Sequence, residues 1–376
     1  MVHPKRFAAL TFFIFVFSLG TSGQTIIDNP STPLSKNPGR VVSLTEVLRI
    51  TDQGQKEYYF EYPSRLHIAP DGSIFVLDVD QLLHFDQKGK FVRNYFKKGQ
   101  GPGELTFVSN FWLTDSYLIV HNLSPSKVVW FDFSGNLVKD ASVRVLGEST
   151  EFLLFDGEAY YFKKPSFPQK KGMQGIIENP QVIVSWREGN DRITELGDFP
   201  IRAYFKRSKE GGAGFIPLNE LIWVSASETL YISHTSEYLV KTIDLKTGRI
   251  IRLIRRRYER VKPPPDLAGG IRGGPIIDGK ELIAPAPDYA DDIVNLFLHE
   301  ADLWIVTSVQ DKYKGTLIDV LDSDGRYVDC FYVKLPIAPY RHLQRPAPHI
   351  VSGNFLYAIE KTPDETYSIK KYRIGL

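Results

Sequence analysis

The side chains of this chain that could do chemistry are oxygen donors and cations rather than activated nucleophiles. Carboxylates and amides at Asn110, Glu151, Asn219, Asp291 and Asp292 recur just ahead of apolar segments. Oxygen ligands of that kind suit calcium, a hard cation. Glu151, Asn219 and Asp291 are the candidate metal ligands, with calcium as the cofactor they would suit and zinc as the second choice. His67, His234, His342 and His349 are spread too widely along the chain to predict a zinc cluster, and read as lining or surface residues. No nucleophile elbow, glycine-rich phosphate loop, HExxH or EF-hand string is present. The single cysteine, Cys330, excludes an internal disulfide framework and reads as a packed thiol.

Cations and aromatics make the second set. The run Arg255–Arg257 with Arg260 could receive an anionic ligand through bidentate contacts. Tyr204, Phe205, Tyr289 and Tyr340 stand among Arg202, Arg207, Arg341 and Arg345, a mixture common in interface cores and in peptide or carbohydrate sites. Arg202, Tyr204, Arg255, Arg257, Tyr289 and Arg341 are therefore the ligand-binding candidates, for a protein, peptide or carbohydrate partner and with no cofactor. Across the 376 residues, 46 Lys+Arg against 44 Asp+Glu leave a formal charge of +2. That balance argues against nucleic acid, whose partners show a basic excess or stripe.

These residues need elements to position them, and the elements begin after an export signal. Lys5 and Arg6 precede an apolar run from Phe7 to Leu19, and small or polar residues follow to Gly23. A charged start, a short apolar stretch and a small-residue exit describe a secretory signal peptide over 1–23, too short to span a bilayer. Residues 24–39 read as a flexible leader. The expected product is exported, periplasmic or secreted, monomeric and without a later membrane span.

Six copies of one unit organise the remainder, 40–376. A turn and an almost wholly apolar strand recur as PDGSIFVLD, LTDSYLIVH, FDGEAYYFK, SASETLYIS, HEADLWIVT and VSGNFLYAI. An alternating strand and a glycine turn follow, as in LLHFDQKGK from Leu82 and DVLDSDGR from Asp319. Continuous apolar strands are buried on both faces, and alternating ones on a single face. Glycine supplies the positive φ that tight turns need. The pattern predicts an all-β, six-bladed β-propeller with four-stranded antiparallel blades packed face to face. The sixth unit ends in its third strand, Ser368–Ile374, whereas Val41–Ile50 has no unit of its own. Pairing the two closes the ring and removes an exposed edge.

Strand parity then separates two rims. Turns within strand pairs one–two and three–four are tight: Pro70-Asp71-Gly72, Gln87-Lys88-Gly89, Ser134-Gly135-Asn136 and Asp324-Gly325. The long insertions, Lys163–Pro180, Pro200–Asn219, Arg255–Ala290 and Lys334–Pro348, all fall between strands two and three or between blades. They crowd the other rim, around the mouth of the channel. Long connections of this kind are usually functional, and their prolines favour ordered caps over free coil.

The first unit, with IAPDGSIFVLD and then FDQKGKFVRNYFKKGQGPGEL, resembles a family of bacterial six-bladed propellers related to NHL-repeat proteins. The likeness is sharpest over Tyr62–Asn110 and centres on GQGPGEL at Gly99–Leu105. It implies a propeller that is exported or lipid-anchored, and it implies no activity. The chain departs from anchored members in lacking a cysteine at the signal exit. Enzymatic six-bladed propellers of the lactonase type hold a metal with carboxylates and amides from innermost strands, which is what the Glu151, Asn219 and Asp291 alternative implies. The leading expectation is a non-enzymatic propeller that binds a ligand or protein on its long-loop face.

Overall fold

Apolar strands with no polar face can be accommodated only in the middle of a stack, and that is where this chain places them. The computed structural model describes residues 24–146, 150–165, 174–190, 192–208, 212–226, 228–336, 349–362 and 366–376. The predicted signal segment, Tyr340, Arg341, His342 and Arg345 lie outside them. Blade one is Arg65–Ile68, Ile74–Asp78, Gln81–Phe85 and Phe91–Asn94, and blade two is Val108–Leu113, Tyr117–Leu123, Ser126–Asp132 and Leu137–Ser142. Blade three is Glu151–Phe155, Tyr160–Pro165, Gln181–Trp186 and Ile193–Asp198; blade four is Leu221–Ala226, Thr229–His234, Leu239–Asp244 and Ile250–Arg256. Blade five is Ile293–His299, Asp302–Asp311, Gly315–Leu321 and Tyr327–Val333. Blade six has His349–Ser352, Phe355–Lys361 and Tyr367–Gly375, and takes Arg40–Ile50 as its outer strand.

Burial peaks in the middle strands of a blade, as the composition of each strand dictates. Ile74–Asp78 is buried at every position, whereas Phe91–Asn94, outermost in the same blade, alternates between half-buried and exposed. Each pair of neighbouring blades shares a core. Phe75, Leu82, Phe111 and Leu118 fill the space between blades one and two. Ile50, Leu66, Phe85 and Ile369 fill that between six and one, which closes the ring. A fully buried side chain of this size contributes about 1.5–3 kcal/mol.

The ring closes as expected: Ser43 to Ile50 pair antiparallel with Gly375 to Ile369. The same strand does more. Arg40–Val42 pair parallel with Phe331–Val333, so blades five and six merge into one eight-stranded sheet.

The leader requires a correction. It is not loose: Thr25–Asn29 forms a parallel fifth strand on the outer edge of blade four. Asn29 is buried, donates its amide to the Gly325 carbonyl (2.9 Å) and accepts from the Tyr327 N–H (2.8 Å). The backbone N–H groups of Leu34, Ser35 and Gly39 then donate to carbonyls of Tyr327, Val328 and Cys330. Polar, proline-containing sequence hides this strand because its partners are more than 200 residues away. The N-terminal segment is thus a strap across the outer edges of blades four, five and six.

The long crossings build a second layer. Gln174–Asn179, Ile201–Arg207 and Ala213–Pro217 form a separate three-stranded sheet, with the middle strand supplied by the link between blades three and four. The link between blades four and five folds against it through a small hairpin, Ile276–Ile277 with Lys280–Glu281. Ile216, Ile271, Leu282 and Ala284 make its own small core, with Tyr204 and Leu218 against it. Glycines permit this contact: a Cβ on Gly214 would lie 2.4 Å from Pro275, and one on Gly274 would lie 2.4 Å from the Leu282 carbonyl oxygen. Lys206 pairs with Asp278 across the layer (3.1 Å). The glycine-rich string at Gly269 is therefore a packing device.

Candidate ligand-binding face

Inner strands run from the long-loop rim toward the tight-turn rim, so the residues that start them surround the mouth. Two polar groups form there. In the first, Glu151 at the head of blade three's inner strand accepts from Arg65 of blade one (3.1 Å) and Lys163 (2.6 Å). Beside it the Asn110 amide donates to the Phe152 carbonyl (2.8 Å), which ties the inner strands of blades two and three.

Ser109 lies 2.7 Å from Nδ1 of His121, a spacing that suggests a nucleophile and its base. Among the described residues the rest of that chemistry is missing. His121 is fully buried, its Nε2 has no hydrogen-bond partner among them, and burial pushes its pKa down to about 3. A ring without an orienting group and held neutral by its surroundings is a poor base. This pair is a strut. His67, packed 4.6 Å from the Phe111 ring, is likewise held near pKa 4 by burial.

The second group lies between blades four and five and unites more of the expected residues. Asp291 accepts from the Thr235 hydroxyl (3.0 Å), and Asn219 donates to Ser236 (2.9 Å), the next residue along. The Arg202 backbone N–H donates to the Asn219 side-chain oxygen (2.7 Å), fixing the three-stranded layer to the mouth. Arg260 pairs with Asp292 (2.9 Å), donates to the Ser236 carbonyl (2.9 Å) and stands 4.5 Å from the Tyr289 ring centroid. Lys262 stands 4.3 Å from the same ring. Burial, with Glu220 and Asp292 adding negative charge, raises the Asp291 pKa to about 7.

The remaining candidates are elsewhere. Tyr204 sits in the three-stranded layer and accepts from Gln174 (2.7 Å). Arg255 and Arg257 stand at the outer edge of blade four, against the strap, not at the mouth: Arg255 pairs with Asp28, and the Arg257 N–H donates to the Asn29 carbonyl. Arg341 is among the residues not described. Glu151 belongs to a different polar group from Asn219 and Asp291, and among the described residues no three His, Cys, Asp or Glu side chains are placed to hold a metal ion. Cys330 is a buried thiol whose pKa burial raises. Among the described residues no helix is long and apolar enough to cross a membrane.

Sequence reading singled out Tyr289 but missed the other members of the most informative surface feature. Among the described residues the exposed aromatics are Tyr59, Tyr62, Phe107, Phe215, Tyr289 and Tyr313. Every one lies in a connection of the long-loop rim, and none is on the tight-turn rim or an outer strand. Those of blade one are held rigidly. The buried Asp78 carboxylate accepts from the N–H groups of Glu61, Tyr62 and Val79, and Gln81 brackets Tyr59 through its backbone N–H and carbonyl. Strand parity was the available signal, since it assigns each loop aromatic to a rim.

Comparison with known proteins agrees with this architecture. No curated protein matches the sequence. A Bacteroides fragilis NCTC 9343 protein named as an exported protein is similar in structure at 12% identity and a TM-score of 0.51, covering 93% of this chain and 99% of its own. A member of the DUF4221 family from Bacteroides vulgatus ATCC 8482 is similar at 12% identity and a TM-score of 0.53, covering 89% and 99%. Residues 24–190, the strap and the first blades, match the model of the DUF5128 family, described as "6-bladed beta-propeller".

Proposed function

We propose that this protein is an exported, non-enzymatic β-propeller, periplasmic or secreted, that binds a ligand or protein partner on its long-loop face. One observation carries the reading: the exposed aromatics and the separately cored layer of the long crossings share one rim. Connections carried on a rigid scaffold are where binding residues concentrate. The signal-like segment at Lys5–Gly23 and the likeness to a protein named as exported support the compartment. Replacing residues 263–287 with a short Gly-Ser linker removes the layer's packing partner and spares Arg256, Arg260 and Tyr289. The variant should keep a cooperative melt and lose binding on glycan and peptide arrays. Retained binding would remove the reading.

The metal-dependent hydrolase reading has less support, because Glu151 sits apart from Asn219 and Asp291. Calorimetry with calcium and zinc on the intact protein and on Asp291→Ala discriminates. Tight binding lost in that variant would revive it.

A further inference from the structure

The distribution of the rim aromatics says what kind of partner the face takes. A protein interface needs a contiguous apolar centre within a patch of about 800 Å² per partner. Here the rings are distributed over five separate connections of the long-loop rim. Tyr59 and Tyr62 precede blade one, Phe107 lies between blades one and two, Phe215 is in the three-stranded layer, Tyr289 precedes blade five, and Tyr313 lies within blade five. Such spacing suits a long, thin ligand that meets one ring at a time.

Cations stand directly against two of the exposed tyrosines, Tyr289 and Tyr313. Tyr289 has Arg260 and Lys262 at 4.5 and 4.3 Å, and Tyr313 has Lys312 at 5.6 Å. Tyr62 meets the edge of Tyr367 at 6.3 Å, and Lys361 is 5.8 Å from that second ring. Arg260 is fixed by Asp292 and the Ser236 carbonyl, whereas Lys262 is exposed and held at the ring by a cation–π contact, weak in water. An arriving carboxylate or sulfate can draw the Lys262 ammonium off the ring and leave its face to the apolar side of a sugar. Resting on the binding-face reading above, the geometry points to an acidic polysaccharide, bearing uronate or sulfate groups, as the ligand that lies around this rim.

Native affinity electrophoresis of the full chain lacking 1–23 tests this, with polygalacturonate, chondroitin sulfate or dextran cast in the gel. At least one acidic polymer should retard the protein and dextran should not. Tyr59→Ala, Tyr62→Ala, Tyr289→Ala and Tyr313→Ala should each weaken that retardation by roughly fivefold to tenfold, the effect of losing one stacked ring. Lys262→Gln should weaken it as well, and Lys88→Gln on the opposite rim should not. Three results would overturn the assignment: no retardation by either acidic polymer, equal retardation by dextran, or retardation that ignores all four tyrosines. If acidic polymers fail while a peptide or protein ligand binds and is lost on replacing 263–287, the ligand class is wrong and the binding face stands.

Discussion

Of three consecutive arginines, Arg255 to Arg257, the outer two lie exposed against the strap and the middle one turns inward, and the difference is written in their neighbours rather than in themselves. Arg256 is the buried one. It pairs with Asp319 (2.7 Å), which has no solvent exposure and also accepts from the hydroxyls of Tyr238 (2.7 Å) and Tyr327 (2.8 Å). The rings of Tyr238, Tyr258 and Tyr327 surround its guanidinium at 4.8–5.1 Å. Burial opposes this charge, and Asp319 more than offsets the opposition. Removing the carboxylate charge strands the cation between blades four and five, so Asp319→Asn should destabilise by about 3–5 kcal/mol in urea unfolding. A cost under about 1 kcal/mol would show that the rings alone suffice. Asp291 gives the opposite lesson. Its folded pKa near 7 exceeds that of an unfolded carboxyl, so the folded state holds the proton more tightly. Its contribution is full below about pH 4 and is lost as pH rises through 7. Melting temperature should therefore decline between pH 5 and 8, and Asp291→Asn should flatten that decline. An unchanged profile in Asp291→Asn would place the titration elsewhere.

At the scale of elements, connections rather than strands distinguish this propeller. The three-stranded layer is tied down by residues of unlike kinds: Gly214 and Gly274 at close approach, Lys206 with Asp278, and the Arg202 N–H on Asn219. A Cβ at Gly274 meets the Leu282 carbonyl oxygen at 2.4 Å and Ile216 at 2.7 Å. Gly274→Val should thus separate the crossing from the layer while blade packing, which does not touch it, survives. The expected result is faster hydrogen exchange in 201–217 and 270–284, with blade strands protected as before. Equal loss across the blades would mean that the layer supports the ring. Much of this was legible in advance. Apolar runs such as Ile74–Asp78 have few alternatives to a buried middle strand, and parity alone put the long crossings on one rim. What stayed hidden depends on partners distant in sequence: Asn29 looks like a turn former until Gly325 and Tyr327 are beside it, and Arg255 looks like a ligand cation until Asp28 is. Glu151 and Asp291 read alike in sequence because nothing local reveals whether Arg65 or Thr235 will be opposite.

The whole molecule is held shut by its first segment acting in two stages, and these can be separated. Thr25–Asn29 and the turn after it attach to the outside of blades four and five, and they bury little besides Asn29. Hydrogen bonds of this sort contribute about 0.5–1.5 kcal/mol each. Arg40–Ile50 instead completes blade six, buries Val42 and Ile50, and is the piece by which blade five reaches blade six. Losing it uncovers the cores of two blade junctions and frees the edge of Tyr367–Gly375 for intermolecular pairing. Two truncations follow. A chain beginning at Arg40 should fold as a ring, with a melting temperature lower by several degrees and blade four's outer strand exchanging faster. A chain beginning at Thr51 should lack cooperative melting and aggregate on refolding, since its sixth blade has no fourth strand. Light scattering and calorimetry on the two read the difference directly. If both melt alike, closure does not depend on Arg40–Ile50, and the ring is held by blade packing alone.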